Sequence, residues 1–285
     1  MQIPSVMTVA SSGVLRSADL FALLASYQDG VIEDVLRFRV FTEADCDRLI
    51  GGDIATKLLP QLHAVDAALA PWYAAVGTSR LLSVLRDAPP MRYMVLYHAA
   101  YADRVDIARF VHAHYRLESS CDHLLDLAAL RGSLATLTFF LANGYSGLTG
   151  HALDLAARQG HLHVVEHITD HTDVVGSTRA MDGAASEGHL TVVQYLHTRR
   201  REGATVAALD GAAANGHLAI VVFLHEKRTY GATRGAVDRA ALNGHLDVVR
   251  FLVTHRSEGY SARTCEAALA HGHKDIYEYL STRAS

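Results

Sequence analysis

The sequence feature that most constrains this chain is a series of glycines that recurs every 28 residues. Five of them, each followed by histidine, are Gly160, Gly188, Gly216, Gly244 and Gly272. Gly132 continues the series one unit earlier, Asp103 takes the glycine position before that, and Gly77 marks a possible further unit. A fixed period sustained over this many units predicts a repeat array, in which every unit is one supersecondary element.

Each unit has the apolar pattern of two helices. In the unit around Gly188, Met181, Ala184 and Ala185 form a narrow apolar stripe at helical spacing, and Gly188 then ends this first helix with positive φ. The second helix has a wider apolar face, formed by Leu190, Val192, Val193, Tyr195 and Leu196. Since a single pair exposes apolar faces on both sides, we predict an all-α solenoid of stacked antiparallel helix pairs.

A hydroxyl residue precedes each predicted first helix. The residues that share this position, again 28 apart, are Thr149, Ser177, Thr205, Thr233 and Ser261. Serine and threonine at this position accept a hydrogen bond from a free N–H of the first turn. The sequence therefore predicts an N-cap at each of them.

The recurring column D-x-A-A-x-x-G-H-L-x-V-V-x-F-L resembles the ankyrin repeat over residues 91–285 and, weakly, over 64–90. The resemblance implies an ankyrin-type stack that serves as a protein-binding scaffold, with no catalytic activity and no cofactor. Two departures stand out. The unit has 28 residues where the family has about 33, and the T-P-L-H segment is missing. We expect the lost residues to come from the projecting hairpin that the family often uses for binding.

An acidic residue replaces the family's histidine in six units. These residues are Asp126, Asp154, Asp182, Asp210, Asp238 and Glu266. One interpretation is that each carboxylate takes over the histidine's structural role and bonds N–H or hydroxyl groups of its own or the adjacent turn. The other is a solvated carboxylate on a helix surface. Calcium is disfavoured, because helices about 8–10 Å apart cannot bring together the 6–8 oxygens that it needs.

Histidines suggest metal chemistry at first sight. Five of them belong to the glycine–histidine column, where we expect each to bond nearby backbone. Another group, His163, Glu166 and His167, satisfies H-x-x-E-H, which is a zinc-peptidase signature. In repeat register, however, His167 falls in a packing column, and the sequence offers no obvious third ligand. A zinc-dependent hydrolase is therefore an alternative that we do not favour, and we expect no metal site.

The repeat series suggests the domain boundaries. Residues 1–63 do not repeat and are expected to form an N-terminal helical cap; the alternative is an F-box-like module that makes the protein a ubiquitin-ligase substrate adaptor. Residues 64–90 form a possible degenerate repeat, and 91–285 the repeat array. The last unit, about 259–285, has Lys274 in place of leucine and is expected to be the C-terminal cap.

Bulk composition narrows the function classes. The formal net charge of −4 over 285 residues lacks the basic footprint of a nucleic-acid-binding protein. No apolar stretch predicts a membrane span or a signal peptide, so we expect no membrane partner. Three widely spaced cysteines suggest free thiols in a reducing compartment. We expect an intracellular monomer, cytoplasmic or nuclear.

Positions that vary between units are the candidates for partner binding. The ankyrin resemblance implies that the first helix and the preceding turn of each unit line a concave face. Four arginines near helix starts suggest an acidic partner segment, and two turn tyrosines suggest interface anchors. The partner-binding candidates are Arg179, Gly183, Glu187, Asn215, Tyr230, Arg234, Arg239, Asn243, Tyr260, Arg263 and His271.

Overall fold

A computed structural model describes residue 34 and residues 59–117, 123–227 and 230–283. Sixteen helices, and no strand, lie within residues 59–283 of this described part, which confirms the all-α prediction. Most of the expected N-terminal cap or adaptor module, residues 1–63, lies outside the described residues. Its interpretation therefore stays a prediction, as do the domain boundaries.

The chain divides into two compact units, which are described separately. The first comprises residues 1–98 and 106–117 and the second the remainder. The first four helices are α1 (Leu59–Val76), α2 (Leu81–Asp87), α3 (Met91–Tyr101) and α4 (Val105–His114). The division falls within α3 and just after the start of α4.

The helices of the first unit follow the repeat pattern loosely. Gly77, between α1 and α2, has the positive φ of +59° that the repeat predicts. However, α1 has 18 residues and contains Pro71, whereas the first helices of the second unit have 7–9 residues. Trp72 and Tyr73 of α1 are buried. Residues 59–87 therefore form a helix, a glycine with positive φ and a second helix, and the first helix begins before the predicted boundary at residue 64.

The second unit is built of six helix pairs. The first helices of the pairs are α5 (Leu124–Arg131), α7 (Gly150–Arg158), α9 (Thr178–Ser186), α11 (Val206–Ala214), α13 (Arg234–Leu242) and α15 (Thr264–Ala270). The second helices are α6 (Leu134–Ala142), α8 (Leu162–His171), α10 (Leu190–Arg199), α12 (Leu218–Lys227), α14 (Leu246–His255) and α16 (Lys274–Ser281). Each first helix contacts its own second helix and the next first helix, so the pairs stack in sequence order.

These successive first helices form what we call the first-helix row. Each position in the row from α5 to α13 contributes two adjacent alanines with no solvent exposure, and these pairs are Ala128–Ala129, Ala156–Ala157, Ala184–Ala185, Ala212–Ala213 and Ala240–Ala241. Because alanine extends only to Cβ, neighbouring helices can approach closely here. The second-helix row, formed by the second helices, contributes larger side chains to the core, such as Val192, Val193 and Leu196.

The predicted caps are present in four of the five units. The hydroxyl oxygens of Thr149, Ser177, Thr205 and Thr233 each accept a hydrogen bond of 3.0–3.1 Å from the N–H two residues on. The prediction for Ser261 is wrong. Residues 262–263 form a turn, α15 begins at Thr264, and the Ser261 hydroxyl bonds the Thr264 hydroxyl instead.

Glycine ends the first helices as predicted. Gly188 has φ +90°, a conformation that costs a residue with a side chain about 1–2 kcal/mol. In the unit before Gly132, Asp103 takes the same left-handed conformation with φ +51°, which aspartate tolerates better than most residues. Its carboxylate accepts hydrogen bonds from the N–H and the hydroxyl of Thr136.

Candidate functional site

Carboxylates of the acidic column link each unit to the next. One oxygen of Asp154 accepts the backbone N–H of Ser177 at 2.9 Å, and the other accepts its hydroxyl at 2.6 Å. The same pair of bonds, at 2.5–3.0 Å, joins Asp126 to Thr149, Asp182 to Thr205, and Asp210 to Thr233. We call this series the aspartate ladder.

The ladder decides between the two interpretations of the acidic column. The prediction that each Asp bonds N–H and hydroxyl groups is confirmed, and the bonds go to the adjacent turn. Asp238 is a variant, because it bonds the N–H of Ser261 and the hydroxyl of Thr264. Glu266, in the last described pair, is exposed. Since each capping hydroxyl donates to an aspartate and accepts from the helix N–H, the carboxylate fixes the start of the next first helix.

Histidines of the glycine–histidine column form a second link between units. The imidazole of His189 lies against Gly160 of the preceding pair, where a Cβ would come within 2.5 Å of the ring. His161, His217, His245 and His273 lie in the same way against Gly132, Gly188, Gly216 and Gly244. The Nε2–H groups of His161 and His273 also donate to the carbonyls of Leu130 and Leu242 at 3.1 Å. The prediction that these histidines bond backbone is confirmed for His161 and His273, and the carbonyls belong to the preceding unit.

A surface groove of about 490 Å³ lies along the first-helix row from α7 to α11. Three of the predicted partner-binding residues line it, namely Arg179, Gly183 and Glu187. Sequence reasoning missed further lining residues, among them His151 and Arg158. The repeat register could have found them, because His151 lies 28 residues before Arg179. We call this site the first-helix groove.

The groove walls are held by bonds between units. Arg158 on one wall pairs with Glu187 at 3.3 Å, and both side chains remain largely exposed. Glycine at position 183 lets α9 approach α7 closely at the base of the groove, because a Cβ there would lie 3.0 Å from the Cβ of Arg158. Asp154 and Asp182 of the ladder line the same groove. The site therefore combines fixed carboxylates, a paired arginine and the exposed Arg179 over a floor of small residues.

Two predicted partner-binding residues make bonds within the stack. The side-chain amide of Asn215 donates to the Ser186 carbonyl at 2.7 Å, and that of Asn243 donates to the Ala214 carbonyl at 2.7 Å. Both side chains are exposed but already bridge neighbouring first helices. Their position in the row serves packing between units as well as any surface role.

Burial counts against Tyr230 as an interface anchor. Its side chain is only 8% exposed, and its hydroxyl lies 2.8 Å from Nδ1 of His197. Tyr260 is half-buried and donates its hydroxyl to the Leu280 carbonyl at 3.3 Å. Tyr230, predicted as a surface residue because it lies in a turn, is instead part of the packing between units.

The remaining candidates are exposed at first-helix ends. Arg179, Arg234, Arg239, Arg263 and His271 all have exposed side chains. Arg239 forms an ion pair with Asp210 at 3.1 Å, and Arg234 donates to the Glu258 carbonyl at 3.2 Å. Neither Arg234, Arg239 nor Arg263 lines the first-helix groove. The structure thus gathers Arg179, Gly183 and Glu187 into one site and leaves the others along the row.

The zinc signature on α8 does not form a ligand cluster. His163 is exposed and donates from Nε2 to the Gly132 carbonyl at 3.1 Å, while the ring of His167 stacks on His171 at 4.5 Å. Burial and the neighbouring His171 lower the pKa of His167. Among the residues that the structure describes, no three His, Cys, Asp or Glu side chains are placed to hold a metal ion.

Comparison with known proteins yields no assignment. No family model matches the chain. No curated protein matches it either. Within residues 59–117, 123–227 and 230–283, no helix has both the length and the hydropathy to cross a bilayer.

Proposed function

We propose that the chain is an ankyrin-type scaffold that binds a protein partner through the first-helix groove, with no catalytic role. The recurring residues that resemble the ankyrin repeat support this proposal, as does the stacking of the helix pairs in sequence order. We further propose that the protein is intracellular, since its cysteines are few and widely spaced. We also propose that it acts as a monomer.

One observation carries the proposal. Three side chains at positions that vary between units, Arg179, Gly183 and Glu187, line one groove, while the residues of the recurring columns join the units. The aspartates, capping hydroxyls and histidines of the recurring columns bond within the stack. Arg179 and Gly183, which vary, face the open groove. This division suits a scaffold, because the residues that recognise a partner can change without loss of the fold.

The rigidity of the groove supports protein binding in particular. Its walls belong to three helices joined by the aspartate ladder, so little conformational entropy is lost when a partner binds. A groove of about 490 Å³ accommodates a few residues of a partner chain. The exposed guanidinium of Arg179 at its edge favours a partner with an acidic group there.

The test is quantitative affinity capture from native extract with cross-linking, comparing the wild type with two charge reversals. Arg179→Glu changes the groove. Arg250→Glu is the matched control, because Arg250 is exposed on α14 of the second-helix row. We expect at least one protein captured by the wild type to be lost with Arg179→Glu and retained with Arg250→Glu. Equal capture by all three proteins would contradict a binding site in the groove.

A further inference from the structure

We call the contact between the imidazole of one helix pair and the glycine of the preceding pair a joint. The joint between α5–α6 and α7–α8 differs in charge from the four later joints. His161 is the histidine of this joint, and the residue before its glycine partner is Arg131. At the four later joints the corresponding residues are neutral or acidic, namely Gln159, Glu187, Asn215 and Asn243. Among the five glycine–imidazole contacts in the described residues, this one has a permanent cation at the position before the glycine.

A second imidazole, that of His163, also bonds the turn that follows α5. His161 Nε2 lies 3.1 Å from the Leu130 carbonyl, and His163 Nε2 lies 3.1 Å from the Gly132 carbonyl. The two rings meet edge to face with centroids 6.0 Å apart. At the later joints the position of His163 holds Thr191, Ala219, Asp247 and Asp275, of which none is cationic.

Protonation at this joint therefore brings positive charges together. The groups that face His161 are His163 on its own helix, Arg131 on the preceding pair and His189 on the following pair. Arg131 is held in place by stacking 4.3 Å from the Tyr101 ring and by donating to the Tyr101 carbonyl. Burial lowers the pKa of His161, the bond to the Leu130 carbonyl opposes this, and the three neighbouring groups lower it further.

We propose that the joint between α5–α6 and α7–α8 is an acid-labile joint, which opens when His161 becomes protonated beside Arg131 and His163. The sign follows from linkage. Because the folded pKa of His161 lies below its ordinary value of 6.5, the unfolded or open form binds the proton more readily. The joint is at full strength above about pH 6.5 and weakens as the pH falls through and below that value. Since a repeat stack is held by nearest-neighbour contacts, weakening one joint loosens the array at a defined place.

The test uses amide hydrogen exchange, corrected for intrinsic rates, on the full chain at pH 7.5 and 5.5. In the wild type we expect protection at the α5–α7 joint to fall several-fold more than at the α11–α13 joint, where the residue before the glycine is the neutral Asn215. An equal loss at both joints would overturn the proposal.

Two reciprocal swaps sharpen the test. Arg131→Gln with His163→Thr installs the residues of the next joint, and we expect it to remove the excess loss of protection in acid. Gln159→Arg with Thr191→His transplants the basic residues to the His189 joint, where we expect acid lability to appear. The two variants are independent, so one suffices if the other fails to fold. Lability that persists in the first swap, or is absent from the second, would contradict the proposal.

Discussion

Neighbouring first helices meet through alanine pairs and hydrogen bonds, whereas neighbouring second helices meet through rings. In the second-helix row, His197 lies edge to face against Phe223 at 5.6 Å, and His225 lies in the same way against Phe251 at 5.4 Å. These four rings are only half-buried. The first helices also make far more extensive contact with one another than the second helices do.

The difference between the first-helix row and the second-helix row shows where the stack is held together. Charged hydrogen bonds, each worth about 1.5–3 kcal/mol, and fully buried alanines lie in or beside the first-helix row. The half-buried ring contacts of the second-helix row are worth about 0.5–1.5 kcal/mol each. The same row that holds the stack also carries the first-helix groove, so the candidate binding surface rests on the most strongly joined part of the molecule.

The largest effect is expected where an imidazole lies against a glycine. Gly160→Ala introduces a strained φ, at about 1–2 kcal/mol, and an overlap with His189, at about 1–3 kcal/mol more. Gly144→Ala is the matched control, because its φ of +77° equals the +78° of Gly160 within one degree and its Cβ would meet nothing within 4 Å. Denaturant unfolding should separate the two variants by at least 1 kcal/mol. Equal destabilisation would show that the imidazole contact does not constrain the joint.

The aspartate ladder should give the next largest effect. Asp210→Ala leaves the N–H and hydroxyl of Thr233 without their acceptor in a site where Asp210 is only 4% exposed, and we expect a loss of about 2–3 kcal/mol. Glu266→Ala removes the exposed member of the same column and should change stability by less than about 0.5 kcal/mol. Thermal unfolding of both variants measures the contrast. An unchanged melting temperature for Asp210→Ala would remove the ladder from the account.

Substitutions in the second-helix row should cost less free energy of unfolding than those in the first-helix row. Phe223→Leu keeps an apolar side chain but loses the ring contact with His197, and we expect a cost of about 1 kcal/mol. The measurement is the same denaturant titration that is used for Gly160→Ala. A cost as large as that of Gly160→Ala would mean that both rows hold the stack equally.

Substitutions in the turns between units should have the smallest effect on the free energy of unfolding. Glu258 accepts hydrogen bonds from Arg256, and these bonds hold the pKa of Glu258 below its ordinary value of 4.5 against the opposing effect of burial. A lowered carboxyl pKa stabilises the fold above that value, and the stabilisation is lost as the pH falls through the lowered pKa. Glu258→Gln should therefore cost about 0.5 kcal/mol at pH 7, and the cost should shrink as the pH falls below 4.5. A pH series of unfolding free energies checks this, and a difference that persists in acid would contradict it.

The features that depend on one unit alone could be predicted from the sequence. The helix pairs, the positive φ of Gly188 and the cap at Ser177 each follow from residues that are adjacent in the chain. The links between units could be predicted only in part. The repeat period shows which residues share a column, but it does not show which columns meet across neighbouring layers.

Three residues illustrate what the period cannot show. His189 contacts Gly160, 29 residues before it, and Asp154 bonds Ser177, 23 residues after it. Neither offset equals the repeat period, since each reflects how one layer sits on the next. Tyr230 lies in a turn, which suggested exposure, yet its ring is buried in the contact with His197 of the preceding pair. Recognition of these links required the relative placement of two layers.

A double-mutant cycle on Asp182 and Thr205 measures whether the helix pairs are joined in sequence order through the first-helix row. Asp182 accepts both the N–H and the hydroxyl of Thr205 at 2.8 Å, and Thr205→Val removes the hydroxyl with little change of shape. We expect Asp182→Ala and Thr205→Val to be coupled by about 1–2 kcal/mol in unfolding free energy. Strictly additive effects of the two substitutions would contradict it.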